Sequence, residues 1–241
     1  MENEEINWGT EGKSRVIFID FSFSRVVSVA TAKSDILDGY CAISSGRFYG
    51  SKFISSAVCT ALKSASAKFS EISKIVISKG PGSFTSLRAC IAFSQALSLS
   101  LKIPIITILS FDWIALYITE KYRERFSEKI EGEKKNVFTI RFFSGKKNLF
   151  YFAQYELNQI PTMKKIYVDS SDYTKPSEGK IFDVEREVLP EVGAKYLFKI
   201  FTLYKKNSKR FELFEPENVW KITPEYLIPV EFQKPKIIQI R

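Results

Sequence analysis

Between a short apolar strand and an apolar helix lies Gly80-Pro81-Gly82-Ser83-Phe84-Thr85, the segment whose residue types best suit chemistry. Gly80 and Gly82 tolerate positive φ or the close approach of another group. The hydroxyl of Ser83 or Thr85 can cap the following helix, whose first amides then point outward with a partial positive charge. Such a turn can hold a phosphate or a carboxylate. The same residues also make an ordinary tight strand-to-helix turn. The loop is not a Walker A motif, because GxxxxGK[ST] needs a lysine that is missing here.

Histidine is absent from the chain. That excludes Ser-His-Asp triads, Cys-His dyads and every His-containing metal site. Cys41, Cys59 and Cys90 form no C-x-x-C pair and no even disulfide set, the usage of a reducing compartment. Cys59 and Cys90 stand among small apolar residues and are expected in the core. Any chemistry must come from carboxylates, Lys, Tyr, Cys or backbone amides.

The elements that must position the loop follow from hydropathy patterning. Residues 15–21, 25–32 and 36–43 read as three sequential strands separated by turn formers. Over 51–70 the period changes: Phe53, Ala57, Ala61, Ala65 and Phe69 recur every four residues beside Ile54, Val58 and Leu62, one broad helical stripe. A buried strand at 74–78 ends in the glycine loop, which opens a helix running to about Leu101. A strand at 104–109 precedes a helix over 111–126 that Ser110 can cap. The first half therefore reads βββαβαβα. After a polar crossing at 121–136 come strands near 137–143, 149–157 and 163–168, a polar segment around 169–180 and a helix near 191–206.

The helix at 84–101 carries one charge, Arg88. Leu87, Ile91 and Leu101 lie near one side and Phe84, Phe93 and Leu99 elsewhere around it, with small Ala and Ser between. A helix apolar nearly all round is buried nearly all round. One face should pack on its own sheet, and the other needs a second partner.

With 21 Phe and 11 Tyr among 241 residues, the chain has ample apolar area to offset conformational entropy, so disorder is excluded as the main state. The acidic start MENEEINWGTEGK is unlike a signal peptide and reads as a flexible extension over 1–14. No run reaches the roughly 18 apolar residues of a membrane-spanning helix, so a cytoplasmic protein is expected. Of the formal charge of +9, residues 121–241 hold most, in pairs such as Lys134-Lys135, Lys146-Lys147 and Lys205-Lys206. That excess reads either as a solvated surface or as a diffuse nucleic-acid footprint.

The string SKGPGSFTSLR at 78–88, the small-residue helix after it and IPIITILS at 103–110 resemble the TsaB (YeaZ) family, whose pattern is GPGSFTGLR, a small-residue helix and a strand opening near Ile-Pro. VIFIDFSFSRVVSVA at 16–30 looks like its opening hairpin, LPEVGAKYL at 189–197 like its last long helix, and Pro224-Glu225-Tyr226-Leu227 like its closing Pro-x-Tyr-Leu. The chain departs from the pattern at Ser86, where the family has Gly, and at Gly50-Ser51, where a His is common. It departs again at Arg141-Phe142-Phe143, in place of Asp-Ala-Arg, and lacks a second glycine-rich loop.

The resemblance implies an α/β protein of two actin-like (ASKHA, ribonuclease-H-like) lobes. The first would span 15–120, and a degenerate second lobe with a C-terminal return segment would span 121–241. It implies a non-catalytic subunit that binds the paralogous transferase TsaD. With the ATPase TsaE, that pair installs threonylcarbamoyl on adenosine 37 of tRNA. It further implies pairing through first-lobe helices, in which a homodimer could use the same surface. The candidate interface is Phe53, Ile54, Ala57, Val58 and Ala61 with Leu87, Ile91, Ala92, Gln95, Ala96 and Leu99. In this superfold Asp20 and Ser22 lie where a first phosphate loop would be, so with Gly80, Gly82, Ser83 and Thr85 they form the candidate anion site. Asp20 reads equally as a turn-stabilising residue. The alternatives are a degenerate nucleotide-binding enzyme of the same superfold, or a stand-alone tRNA-binding module.

Overall fold

The computed structural model describes residues 14–44, 50–122, 137–143, 149–157, 160–170, 180–207 and 211–225. The N-terminal extension, most of the crossing at 121–136 and most of the polar segment at 169–180 lie outside the described residues.

The first sheet forms from β1 (Arg15–Phe23), β2 (Val26–Lys33), β3 (Ile36–Ser44), β4 (Ile72–Ser78) and β5 (Ile105–Ile108). The turn Ser34-Asp35, both at positive φ, closes the β2–β3 hairpin. Strands β1, β4 and β5 run parallel, and β2 and β3 add antiparallel at one edge. Every residue of β4 is buried, as expected of a parallel strand covered on both faces.

Helices α1 (Ile54–Ser64) and α2 (Phe84–Leu101) cover one face. The stripe expected over 51–70 forms a helix only over α1, flanked by 3-10 turns at Gly50–Phe53 and Phe69–Glu71. Its Ile54, Ala57, Val58, Ala61 and Leu62 pack with Ile17, Ile19, Val27 and Val29 in one core. Helix α3 (Ser110–Lys121) begins one residue before the expected start. Ser110 is not its cap: Leu109 occupies that position, and the Ser110 hydroxyl is hydrogen-bonded to Ser22 instead.

The second sheet, ordered β8-β7-β6-β9, comprises β6 (Val137–Phe143), β7 (Leu149–Glu156), β8 (Thr162–Ser170) and β9 (Lys180–Asp183). A single turn, α4 (Val184–Glu187), leads through a 3-10 turn to α5 (Gly193–Lys206). Helix α5 lies on β1 and β2 of the first sheet and against α3. One core thus spans both sheets, from Phe18, Ala30 and Val76 through Trp113 and Leu197 to Phe138, Tyr155 and Phe182.

The described residues after α5 return to the first sheet. Beyond α5, β10 (Glu212–Phe214) pairs with β5 at the edge of the first sheet. The 3-10 turn Pro216–Lys221 then packs on α2, with Val219 and Ile222 joining the α1–α2 core. No described helix is long and apolar enough to cross a membrane.

Candidate functional site

The glycine loop is stapled on every side. The Ser83 amide donates to the Ser22 carbonyl at 2.7 Å, Ser110 N–H to Gly80 O at 2.7 Å and Glu225 N–H to Lys79 O at 2.7 Å. Gly80 sits at φ +113°, and a Cβ on Gly82 would come within 2.6 Å of Ser22 O. Glycine is required at both places by backbone conformation and close approach. Ser83 does stand at the N-cap of α2, but its side chain makes no cap bond and meets the Ser86 hydroxyl at 3.0 Å.

Beneath the loop is a knot of buried polar groups. Ser22 Oγ donates to Asp20 Oδ1 at 2.7 Å and shares a 2.6 Å hydrogen bond with Ser110 Oγ. Burial pushes the Asp20 carboxyl pKa up, and Ser78, Ser22 and Trp113 only partly oppose that. The N-terminus of α5 closes over the group: a Cβ on Gly193 would lie 2.3 Å from Asp20 Oδ2. The Ala194 amide beside it donates to Ser28 Oγ at 2.9 Å.

Four of the six expected anion-site residues, Asp20, Ser22, Gly82 and Ser83, therefore meet, with Gly80 beside them. They meet as a packed turn and not as an open cradle. The Ser83 amide is spent on the chain's own carbonyl, a buried carboxyl fills the middle, and Thr85 is exposed outside the knot. The departure from expectation comes from α5. Ser28, Ser78, Trp113 and Gly193 complete the knot, and no short-range pattern in the sequence marks them.

The helices divide the expected interface residues in two. Ile54, Ala57, Val58, Ala61, Leu87 and Ile91 are buried in this chain's own core and offer nothing to a partner. Their apolar stripes seat α1 on β3 and β2 and α2 on β1 and β4. Gln95 is also engaged at home, its Nε2 donating to Val219 O at 2.8 Å. Phe53 is half-buried, and Ala92, Ala96 and Leu99 face outward. With Phe84 and Arg88 they form a solvent-facing row along α2, where Phe84 is 37 % and Leu99 54 % exposed. The Arg88 guanidinium lies over the Phe84 ring, 5.0 Å from its centroid. Burial of Ser86, Ser94 and Ser98 beneath α2 is what turns Ala92, Ala96 and Leu99 out. Trp220, 64 % exposed on the turn that packs against α2, is an aromatic the sequence reading missed.

Cys59, expected in the core, is exposed on α1, whereas Cys90 is buried as expected. Burial pushes the Cys90 thiol pKa far up. Among the described residues, no three His, Cys, Asp or Glu side chains come together as a metal site.

A mixed sheet covered on both faces and continuous with a second sheet through one core defines an actin-like α/β protein of two lobes. Two solved structures share it: "YeaZ from Pseudomonas aeruginosa" (TM-score 0.66, 17 % identity) and a Pseudomonas aeruginosa protein with similarity to peptidase YEAZ (TM-score 0.67, 18 % identity). Each match covers 89 % of this chain and 100 % of the other. Residues 51–161 match the family "TsaD: tRNA N6-adenosine threonylcarbamoyltransferase". The tRNA threonylcarbamoyladenosine biosynthesis protein TsaB of Buchnera aphidicola (subsp. Acyrthosiphon pisum) is 28 % identical over 160 residues, 62 % of this chain and 72 % of that protein. Its counterpart from subsp. Schizaphis graminum is 39 % identical over 64 residues, 27 % of this chain and 30 % of that one. These matches support a TsaB/YeaZ assignment, the family to which the chain is similar.

Proposed function

We propose that this protein is a non-catalytic subunit that binds the paralogous transferase TsaD through α2, with TsaE as the further component. In that complex it supports threonylcarbamoylation of adenosine 37 in tRNA, a cytoplasmic task. The observation that carries the reading is the outward row Phe84, Arg88, Ala92, Ala96 and Leu99. It is an apolar helix face with a single charge and small residues at its middle, so another helix can approach closely. The relatives' names supply the process. The packed knot at Asp20 favours a subunit over a nucleotide-using enzyme, because the Ser83 amide is taken by the Ser22 carbonyl and Gly193 packs directly on the Asp20 carboxyl. The same face can join two copies of this chain about a two-fold axis when TsaD is absent.

Co-expression with the paralogue tests the reading. Stable co-purification that is lost in Ala96→Glu supports it, and two proteins that never co-elute refute it. A tRNA gel shift by the isolated chain would favour the stand-alone RNA-binding alternative.

A further inference from the structure

The outward row of α2 is too small to be the whole of a stable seam. An interface of standard size takes about 800 Å² and roughly 20–30 residues from each partner. The row supplies Phe84, Arg88, Ala92, Ala96 and Leu99, and its alanines offer little area. On one flank α2 meets the 3-10 turn that precedes α1. The solvent side of α1 is polar there, with Ser55, Ser56 and Thr60 exposed. On the other flank the 3-10 turn Pro216–Lys221 packs on α2, and it carries Trp220, 64 % exposed.

Trp220 is held outward by its neighbours in the chain. Val219 and Ile222 are buried in the α1–α2 core. The Ile222 amide donates to Val219 O at 3.1 Å, and Gln95 Nε2 donates to the same oxygen at 2.8 Å. Pairing of β10 with β5 fixes the chain before the turn, and the Glu225 amide on Lys79 O fixes it after. Gln95 follows Ala92 by three residues and precedes Leu99 by four, so the turn that bears Trp220 stands level with the middle of the row. A single exposed apolar side chain is ordinary on a protein surface. An indole fixed beside an apolar helix face is a different case. Aromatic side chains bury about 150–250 Å² each, and Trp is enriched among the few residues that carry most of a binding energy. A turn that is already rigid also has little freedom left to lose on docking.

We propose that Trp220 is the second wall of the α2 seam and the anchor of TsaD binding, its indole seated in an apolar pocket of TsaD beside the helix that docks on Ala92 and Ala96. The proposal rests on the reading of α2 as the TsaD-binding face. It adds what the partner must offer there: a pocket the size of one indole, with an oxygen that accepts from Nε1–H.

The test uses the full chain labelled with 5-fluorotryptophan, in which Trp8, Trp113 and Trp220 each carry one fluorine. Trp220→Phe assigns the Trp220 resonance. Unlabelled TsaD should shift or broaden that resonance and leave the signal of the buried Trp113 in place. By titration, Trp220→Ala should weaken TsaD binding at least about tenfold, and Trp220→Phe by less, with circular dichroism unchanged. Leu189→Ala is the control. Leu189 is 56 % exposed at the turn leading into α5, on the opposite face of the first sheet, and its loss should leave the affinity as in wild type. If Ala96→Glu loses TsaD while folded Trp220→Ala binds as wild type does, the α2 reading stands and the anchor is refuted. A Trp220 resonance that stays unmoved in a complex that has formed refutes it too, whether or not Trp220→Ala folds. If wild type never binds TsaD, the α2 reading falls and the anchor falls with it.

Discussion

Ala96→Glu places a carboxylate in the middle of the outward row of α2. Ala96 is exposed and i+4 from Ala92, and Arg88 lies two turns away. The new side chain therefore meets solvent in the isolated protomer, and its effect on folding should stay within about 0.5 kcal/mol. In a docked complex the same carboxylate would be desolvated against an apolar partner, at a cost of several kcal/mol after relaxation. At about 1.4 kcal/mol per tenfold, affinity for TsaD should fall at least a hundredfold. Ala92→Glu is the less clean probe, because Arg88 one turn before it can pair with the new carboxylate and return about 0.3–0.5 kcal/mol. Leu99→Ala calibrates the scale. About half of Leu99 is still exposed, so docking can gain roughly half of the 1.5–3 kcal/mol of a fully buried leucine, close to a tenfold change. Titration of TsaD with each variant gives affinity, and circular dichroism with size-exclusion mass gives fold and assembly. An Ala96→Glu protein that stays folded and keeps full affinity would falsify the assignment of α2 as the seam. One that unfolds would show that the helix face is misplaced.

Three further outcomes test the interior. Asp20 has a pKa raised by burial, so between about pH 3.8 and its folded value the native state holds a proton that the unfolded chain has lost. Its contribution is present in full below that window and is lost as pH rises through it. Asp20→Asn should therefore gain in melting temperature relative to wild type as pH goes from 4 to 7, and a gap that narrows with rising pH would refute the assignment. Gly193→Ala drives a methyl group to within 2.3 Å of Asp20 Oδ2. It should destabilise by about 1–3 kcal/mol, at roughly 2–4 °C per kcal/mol, and an unchanged melting curve would contradict the close packing of α5. Thiol labelling of the native protein should modify Cys59 first and Cys90 last, following their exposure; equal rates would mean that α2 does not seal the core.

What the sequence carried well was local and periodic. The run VIFIDF yields β1, and the i, i+3, i+4 repeat of Ile54, Ala57, Val58 and Ala61 yields α1 with its buried stripe. A stripe says that one face is covered but not by what, and here the cover is the chain's own sheet. Around α2 the apolar residues are spread so evenly that hydropathy cannot orient it. Its orientation comes from small size, since three buried serines let the helix sit close to the strands. The glycine loop is legible as a turn, but its closure depends on Gly193 and Ser110, far away in the chain. Strands β9 and β10, four and three residues long, owe their existence to pairing with β6 and β5 rather than to their own KIFD and ELF sequences.

The closure of the first sheet by α5 sets an order on synthesis. The Ala194 amide and the Ser28 hydroxyl that receives it are 166 residues apart. At about 5–20 residues per second of translation, β1 and β2 wait on the order of 10–30 s before the helix that covers them exists. Through that interval the side of the nascent sheet that carries Phe18 and Asp20 has α3 but not α5 as native cover from its own chain. Contacts this distant in sequence also form slowly once available, since loop closure precedes any gain from packing. The ribosome-bound chain is thus most exposed to aggregation after its first sheet has emerged and before α5 has, and a chain arrested before Gly193 should be a substrate for chaperones.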